Sequence, residues 1–186
     1  LLLFLCGCSH APQKEAAVTQ DFFAMDTYAR IILYGKNAEQ AASAAEAEMR
    51  RLDKLLSSYE ESSEVSALHN RRTAVVSNDT AKLLTRSLQL RNETDGAFDI
   101  TLAPLSRLWG FPHGPYRVPD RTEIEAALLQ TGMDTIIWDS ASRQCTLKKP
   151  AVTLDFGGIA KGYAADRMAA IVKEQQIRHA RLNLGG

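Results

Sequence analysis

The run Leu154-Asp155-Phe156-Gly157-Gly158-Ile159-Ala160-Lys161-Gly162-Tyr163 holds the residue types and spacing best suited to chemistry. An apolar stretch ends in a carboxylate, and two glycines then let a ligand approach the backbone. A helix follows, whose unpaired N–H groups and dipole favour an anion. Lys161, one turn into it, adds positive charge where a phosphate would sit. The glycine spacing fits neither a Walker loop nor the dinucleotide fingerprint. Two readings stand for this stretch, an anion site and a plain strand-to-helix turn.

A second group is Gly96-Ala97-Phe98-Asp99-Ile100-Thr101, followed by Pro104-Leu105 and Leu108-Trp109-Gly110-Phe111. A carboxylate set among apolar residues, with large aromatics in a loop-like stretch behind it, suits a planar heteroaromatic ligand that stacks on rings. The same residues equally suit an aromatic mini-core in which Asp99 caps a turn. A third group joins Met25-Asp26-Thr27 to Ser57-Ser58-Tyr59 and the Ser-rich run Ser62 to Asn70, residues that also serve turns and caps. His10, His69, His113 and His179 are scattered without metal-ligand spacing, and no nucleophile elbow supports a catalytic triad.

Positioning these groups requires a mixture of strands and helices. Asp21 to Gly35 alternates Ala29, Ile31 and Leu33 with Arg30, Ile32 and Tyr34, a strand pattern. Ala41, Ala45, Met49, Leu52 and Leu56 recur at helical spacing, which predicts an amphipathic helix from about Ala38 to Ser57. A short helix capped by Ser62 or Ser63, a strand at Thr73 to Val76 and a helix from Ser77 or Asn78 to Asp95-Gly96 follow. Thr122 and Glu125 match a capping box for a helix over Glu123 to Gln130. Strands are expected at Thr135 to Trp138, Gln144 to Lys148, Ala151 to Phe156 and His179 to Leu184, with a helix between the last two ending near Gln176. Without strict βαβ alternation, the fold class is α+β with mixed sheets and packed helices.

Of the 186 residues, 45% are hydrophobic and 24% charged, with 22 Lys+Arg against 22 Asp+Glu. That composition excludes wholesale disorder, and the balanced charge argues against nucleic acid as a partner. The chain starts without Met and stops at Gly185-Gly186 straight after an apolar run, so a fragment is expected. Leu1 to Leu5 look like the tail of a secretory leader. Leu5-Cys6-Gly7-Cys8 resembles a bacterial lipobox with Cys8 as the lipidated residue; an ordinary signal-peptide end with an incidental Cys is the alternative. Residues 1–7 are thus expected to be a leader remnant, 8–20 a lipid-anchored flexible tether and 21–186 the domain. Cys145, in an alternating segment, is expected to be a half-buried strand residue without catalytic duty.

Taken in order, Met25-Asp26-Thr27, Ser57-Ser58-Tyr59 with Ser63-Glu64-Val65 and Leu68 to Asn70, Gly96 to Thr101 with Pro104-Leu105 and Trp109-Gly110, Asp155 to Asp166 and Asn183 to Gly186 resemble the ApbE flavin transferases. The resemblance implies an ApbE-like, T-fold-related domain, incomplete at its C-terminus. It also implies transfer of the FMN half of FAD to a Thr or Ser hydroxyl of an exported or membrane redox protein, with release of AMP and a requirement for Mg²⁺. Carried over, Met25, Tyr59, Ala97, Phe98 and Asp99 would lie against FAD. Asp155 would hydrogen-bond the flavin nucleotide with Lys161 nearby, and Gly158 would offer its carbonyl to the metal. The family commonly has Gly where this chain has Asp26, and the family's later metal ligands lie beyond Gly186. The implied location is the bacterial cell envelope, anchored to a membrane through Cys8. Two other functions fit the same site, an FAD pyrophosphatase and a non-catalytic FAD-binding lipoprotein.

Overall fold

The computed structural model describes residues 16–111 and 114–185. Cys6 and Cys8, with the expected leader and lipid anchor, lie outside them. Strands β1 (Ala17–Ala24) and β2 (Thr27–Tyr34) form an antiparallel hairpin with Ala24 opposite Thr27. The sequence predicted one strand from Asp21 and a tether reaching Gln20. Instead Ala17 to Gln20 pair with Tyr34 to Ile31, because main-chain pairing needs no apolar pattern. The connecting turn is Met25-Asp26, with φ of 52° and 53°. Positive φ at both central positions is the two-residue hairpin geometry that matches strand twist.

Ala29, Ile31 and Leu33 of β2 are wholly buried beneath α1 (Ala38–Leu56), whose Ala41, Ala45, Met49, Leu52 and Leu56 form the predicted apolar face. α6 (Ala160–Glu174) packs along α1, and alanines on both, Ala45 and Ala164 among them, are buried between them. β6 (His179–Leu184) joins the far edge of β2, so this sheet runs β1-β2-β6.

The second sheet holds β3 (Thr73–Val75), β5 (Gln144–Leu147) and β4 (Ile136–Asp139), in the order β3-β5-β4. α2 (Glu64–Arg71) and α3 (Asn78–Glu93) flank β3. Ser63 and Ser77 cap them, their hydroxyls accepting from Ser66 N at 2.9 Å and Thr80 N at 3.3 Å. Cys145 lies in β5 but is fully rather than half buried, which pushes its thiol up to about 11.

Three further segments differ from expectation. The stretch expected to be loop-like contains α4 (Ala103–Leu108), with Pro104 in its first turn, where a missing N–H costs nothing. α5 (Arg121–Leu128) starts earlier than predicted. Its capping box is Asp120 with Glu123, because the Arg117 guanidinium forks onto Glu123 and fixes that register. Ala151 closes a turn, and Val152 to Phe156 alternates in burial like a strand, with Val152, Leu154 and Phe156 buried, but it belongs to neither sheet. Alternating burial reports which side faces the core and says nothing about a partner strand. Among the described residues no helix is long and apolar enough to cross a membrane.

Candidate functional site

A cleft of about 280 Å³ opens where the β1–β2 turn, the end of α1, α4 and the start of α6 converge. Met25 and Asp26 enter from the turn, and Asp53 and Leu56 from α1. Ser57, Ser58 and Tyr59 follow on, Ser106 comes from α4 and Phe111 lies just beyond it. Asp155, Phe156 and Gly157 form the opposite wall with Ala160 and Lys161. Four expected residues, Met25, Tyr59, Asp155 and Lys161, thus meet although 136 positions separate the first from the last.

The other four stand outside this lining. Gly158 follows the lining residue Gly157 directly, and a Cβ built on it would lie 3.5 Å from Phe98 Cε2, so Phe98 backs the glycine turn. Asp99 Oδ1 accepts from the Thr101 N–H at 2.6 Å and from the Thr101 hydroxyl at 2.5 Å, the turn-capping alternative. Thr101 Oγ1 in turn accepts from Gly132 N at 2.7 Å. Ala97 is exposed on the approach to this turn.

Asp155 Oδ1 accepts from Gly157 N at 2.7 Å, which closes the turn at the cleft wall. Tyr59 lies across from it. Its phenol is pushed up by burial and by the Asp155 charge, and drawn back by Arg107, whose guanidinium carbon is 5.7 Å from the ring centroid. The Tyr59 hydroxyl donates to the carbonyl of Phe111 at 3.3 Å, which joins two aromatic walls. Ile159 precedes α6 without a side-chain cap, and Lys161 follows in the first turn. The cleft therefore combines aromatic and apolar surface from Met25, Tyr59 and Phe111 with three carboxylates, Asp26, Asp53 and Asp155, and with one cation, Lys161, at a helix start that has no side-chain cap. Such a cleft accepts a planar ring joined to an anion.

Sequence reasoning missed Asp53 and Ser106 as lining residues. Asp53 follows buried Leu52 on the flank of the α1 apolar stripe, a position that signals partial burial without saying against what. Asp26 belonged to the third candidate group and was also noted as a departure from the family pattern; it lines the cleft beside Tyr59.

Residues 25–186 match the ApbE family. The chain belongs to that family. Its ApbE relatives include the FAD:protein FMN transferase of Escherichia coli K12, 30% identical over 199 residues that cover 99% of this chain and 57% of the relative. The enzyme of the same name from Salmonella typhimurium is 32% identical over 196 residues, covering 98% and 56%. Among solved structures, the ApbE protein of Thermotoga maritima superposes with a TM-score of 0.84 at 32% identity, covering 92% of this chain and 57% of that one. The flavinyl transferase ApbE of Pseudomonas stutzeri gives 0.82 at 28% identity, covering 95% and 61%. This ApbE chain therefore has the α+β fold the resemblance implied, and it spans a little over half the length of the curated relatives it matches.

Proposed function

We propose that this ApbE-family chain builds the flavin-binding side of an enzyme that moves the FMN half of FAD onto a Thr or Ser hydroxyl of a partner protein, forming a phosphoester and releasing AMP. The observation that carries the proposal is the meeting of Met25, Tyr59, Asp155 and Lys161 in one cleft. Met25, Tyr59 and Phe111 offer a surface for the isoalloxazine ring, while Lys161 and the start of α6 favour the phosphates. At about 280 Å³ the cleft is slightly smaller than a usual small-ligand site, which fits one part of FAD better than the whole. Attack of the acceptor oxygen on the FMN phosphorus breaks the pyrophosphate bond. In this reading the Lys161 ammonium at the cleft offsets charge on the phosphate oxygens during that step.

The family resemblance adds Mg²⁺ held in part by the Gly158 carbonyl, a hard oxygen of the kind this ion accepts. Among the described residues no group of three His, Cys, Asp or Glu side chains is placed to hold a metal. A single carbonyl does not make a site. The leader pattern before Ser9 supports a cell-envelope location with membrane attachment through Cys8, and hence an exported or membrane redox protein as acceptor.

Incubation of the full-length protein with FAD, Mg²⁺ and a Thr-containing acceptor peptide, followed by mass spectrometry, tests the activity. The expected product is a peptide carrying FMN, with AMP released. FMN plus AMP with unmodified peptide would make water the acceptor, and unchanged FAD would leave a binding protein. For the anchor, a Cys8→Ser form should move to the soluble exported fraction, and its retention on membranes would remove lipidation from the reading.

A further inference from the structure

Val152 to Phe156 carries Asp155 into the cleft without the support of a sheet. Its backbone is held from two other directions. The Leu154 N–H donates to Nε2 of His69 at 2.6 Å, and the Asp155 N–H donates to the carbonyl of Ile100 at 2.7 Å. The imidazole thus supplies the acceptor that a neighbouring strand would otherwise provide, and satisfies an amide that would be left unpaired beside the buried Leu154 side chain.

The end of α2 is built to keep His69 in that role. Burial, with the charges of Arg107 from α4 and Arg72 from the α2 terminus facing it, lowers His69 to about 4. The ring is therefore neutral near pH 7. Acceptance at Nε2 leaves its proton on Nδ1. Arg72, in the left-handed conformation that closes α2, donates to the carbonyls of His69 and Leu147 at 3.3 Å, to that of Val152 at 3.0 Å and to that of Lys149. The same helix end therefore grips the chain on the N-terminal side of Leu154 while His69 holds Leu154 itself.

We propose that His69 is a positioning residue of the flavin cleft: by accepting from the Leu154 amide it sets where the Asp155 carboxylate and the following Gly157 turn stand. This inference rests on the cleft being an FAD site. His69 is outside the lining of the cleft and acts only through the segment it holds.

The test compares His69→Gln, whose amide oxygen reproduces the Nε2 acceptor, with His69→Leu, which removes it, in the full-length protein. FAD affinity is read from flavin fluorescence, and amide exchange is followed across residues 152–156. His69→Leu should raise the FAD dissociation constant on the order of tenfold, the size of one lost hydrogen bond, and speed exchange in that segment. His69→Gln should restore both. If His69→Leu does not fold, His69→Asn, whose shorter amide falls short of Leu154, takes its place. Wild-type affinity in the variant lacking the acceptor, or equal losses in the Gln variant, would overturn the positioning role. Failure of the wild type to bind FAD would instead overturn the flavin reading, and unchanged exchange in His69→Leu would show that the imidazole does not hold the segment.

Discussion

Arg107 places its guanidinium carbon 5.7 Å from the centroid of the Tyr59 ring, so a helix absent from the sequence-level prediction fixes one wall of the cleft. The contact pairs an exposed cation with an aromatic face, an attraction of about 0.5–1 kcal/mol at such sites. The Tyr59 phenol also feels Arg107 as the charge that opposes burial and Asp155.

Replacing Arg107 with Ala should therefore move the Tyr59 ionisation further up while costing no more than about 1 kcal/mol of stability. Ultraviolet titration, with Tyr59→Phe subtracted to isolate this phenol, gives the first quantity and thermal melts the second. An unchanged Tyr59 titration would show that the guanidinium does not act on the ring in solution.

Asp26 sits at φ of 53° in the hairpin turn. Asp tolerates the left-handed region better than most residues, but Gly enters it without a Cβ penalty. Asp26→Gly should stabilise the protein by about 0.5–1 kcal/mol, seen as a higher melting temperature. The same change removes a carboxylate from the cleft beside Tyr59, so FAD affinity measured in parallel reports whether that charge matters to the ligand. A lower melting temperature would mean that Asp26 makes a stabilising contact of its own.

Asp155 both closes the Gly157 turn and faces the cleft. In Asp155→Asn the side-chain oxygen still accepts from Gly157 N, so stability should change by less than about 1 kcal/mol. Flavin transfer should fall far more, by roughly ten- to a hundredfold, because the charge is lost and one carboxylate oxygen becomes an amide that cannot accept a hydrogen bond from the ligand. Gly158→Ala is the companion. The added methyl would meet Phe98 at 3.5 Å, an ordinary contact, so any loss of transfer at normal melting temperature points to the ligand and not to packing. Near-normal rates in both variants would remove this turn from the active site.

Acid should weaken the fold through His69. Its imidazole is lowered from 6.5 to about 4, so between those values the unfolded chain binds a proton that the folded chain refuses. The stability at stake is fully present above about pH 6.5 and is lost as pH falls toward 4. Glu48, held below its ordinary 4.5 by hydrogen bonding to Arg51 and Arg167 against the effect of burial, adds its loss only below that value. Denaturant melts at half-unit pH steps should show the decline, and His69→Gln should flatten its upper part. A decline of equal slope in that variant would assign the titration to another group.

Local patterning already revealed much of this protein. Apolar residues at helical spacing predicted α1 nearly to the residue, Ser63 and Ser77 marked two helix starts, and the apolar runs around Asp139 to Arg143 predicted β4 and β5. Those features depend on residues a few positions apart, which share one helix face or one turn. Of the eight site residues carried over from the ApbE resemblance, four line the cleft: Met25, Tyr59, Asp155 and Lys161. Contacts across the chain decided the rest. Asp99 has the turn-capping place that was one of its two readings, and the Thr101 hydroxyl that donates to it is held from 31 positions away by Gly132 N. Val152 to Phe156 became an unpaired extended segment because His69 and Ile100, 85 and 55 positions away from their partners, supplied the acceptors that a strand would have offered. Periodicity records which side of a segment is buried. Which group receives its amides, and which carboxylates share one cleft, depends on what long-range packing brings alongside.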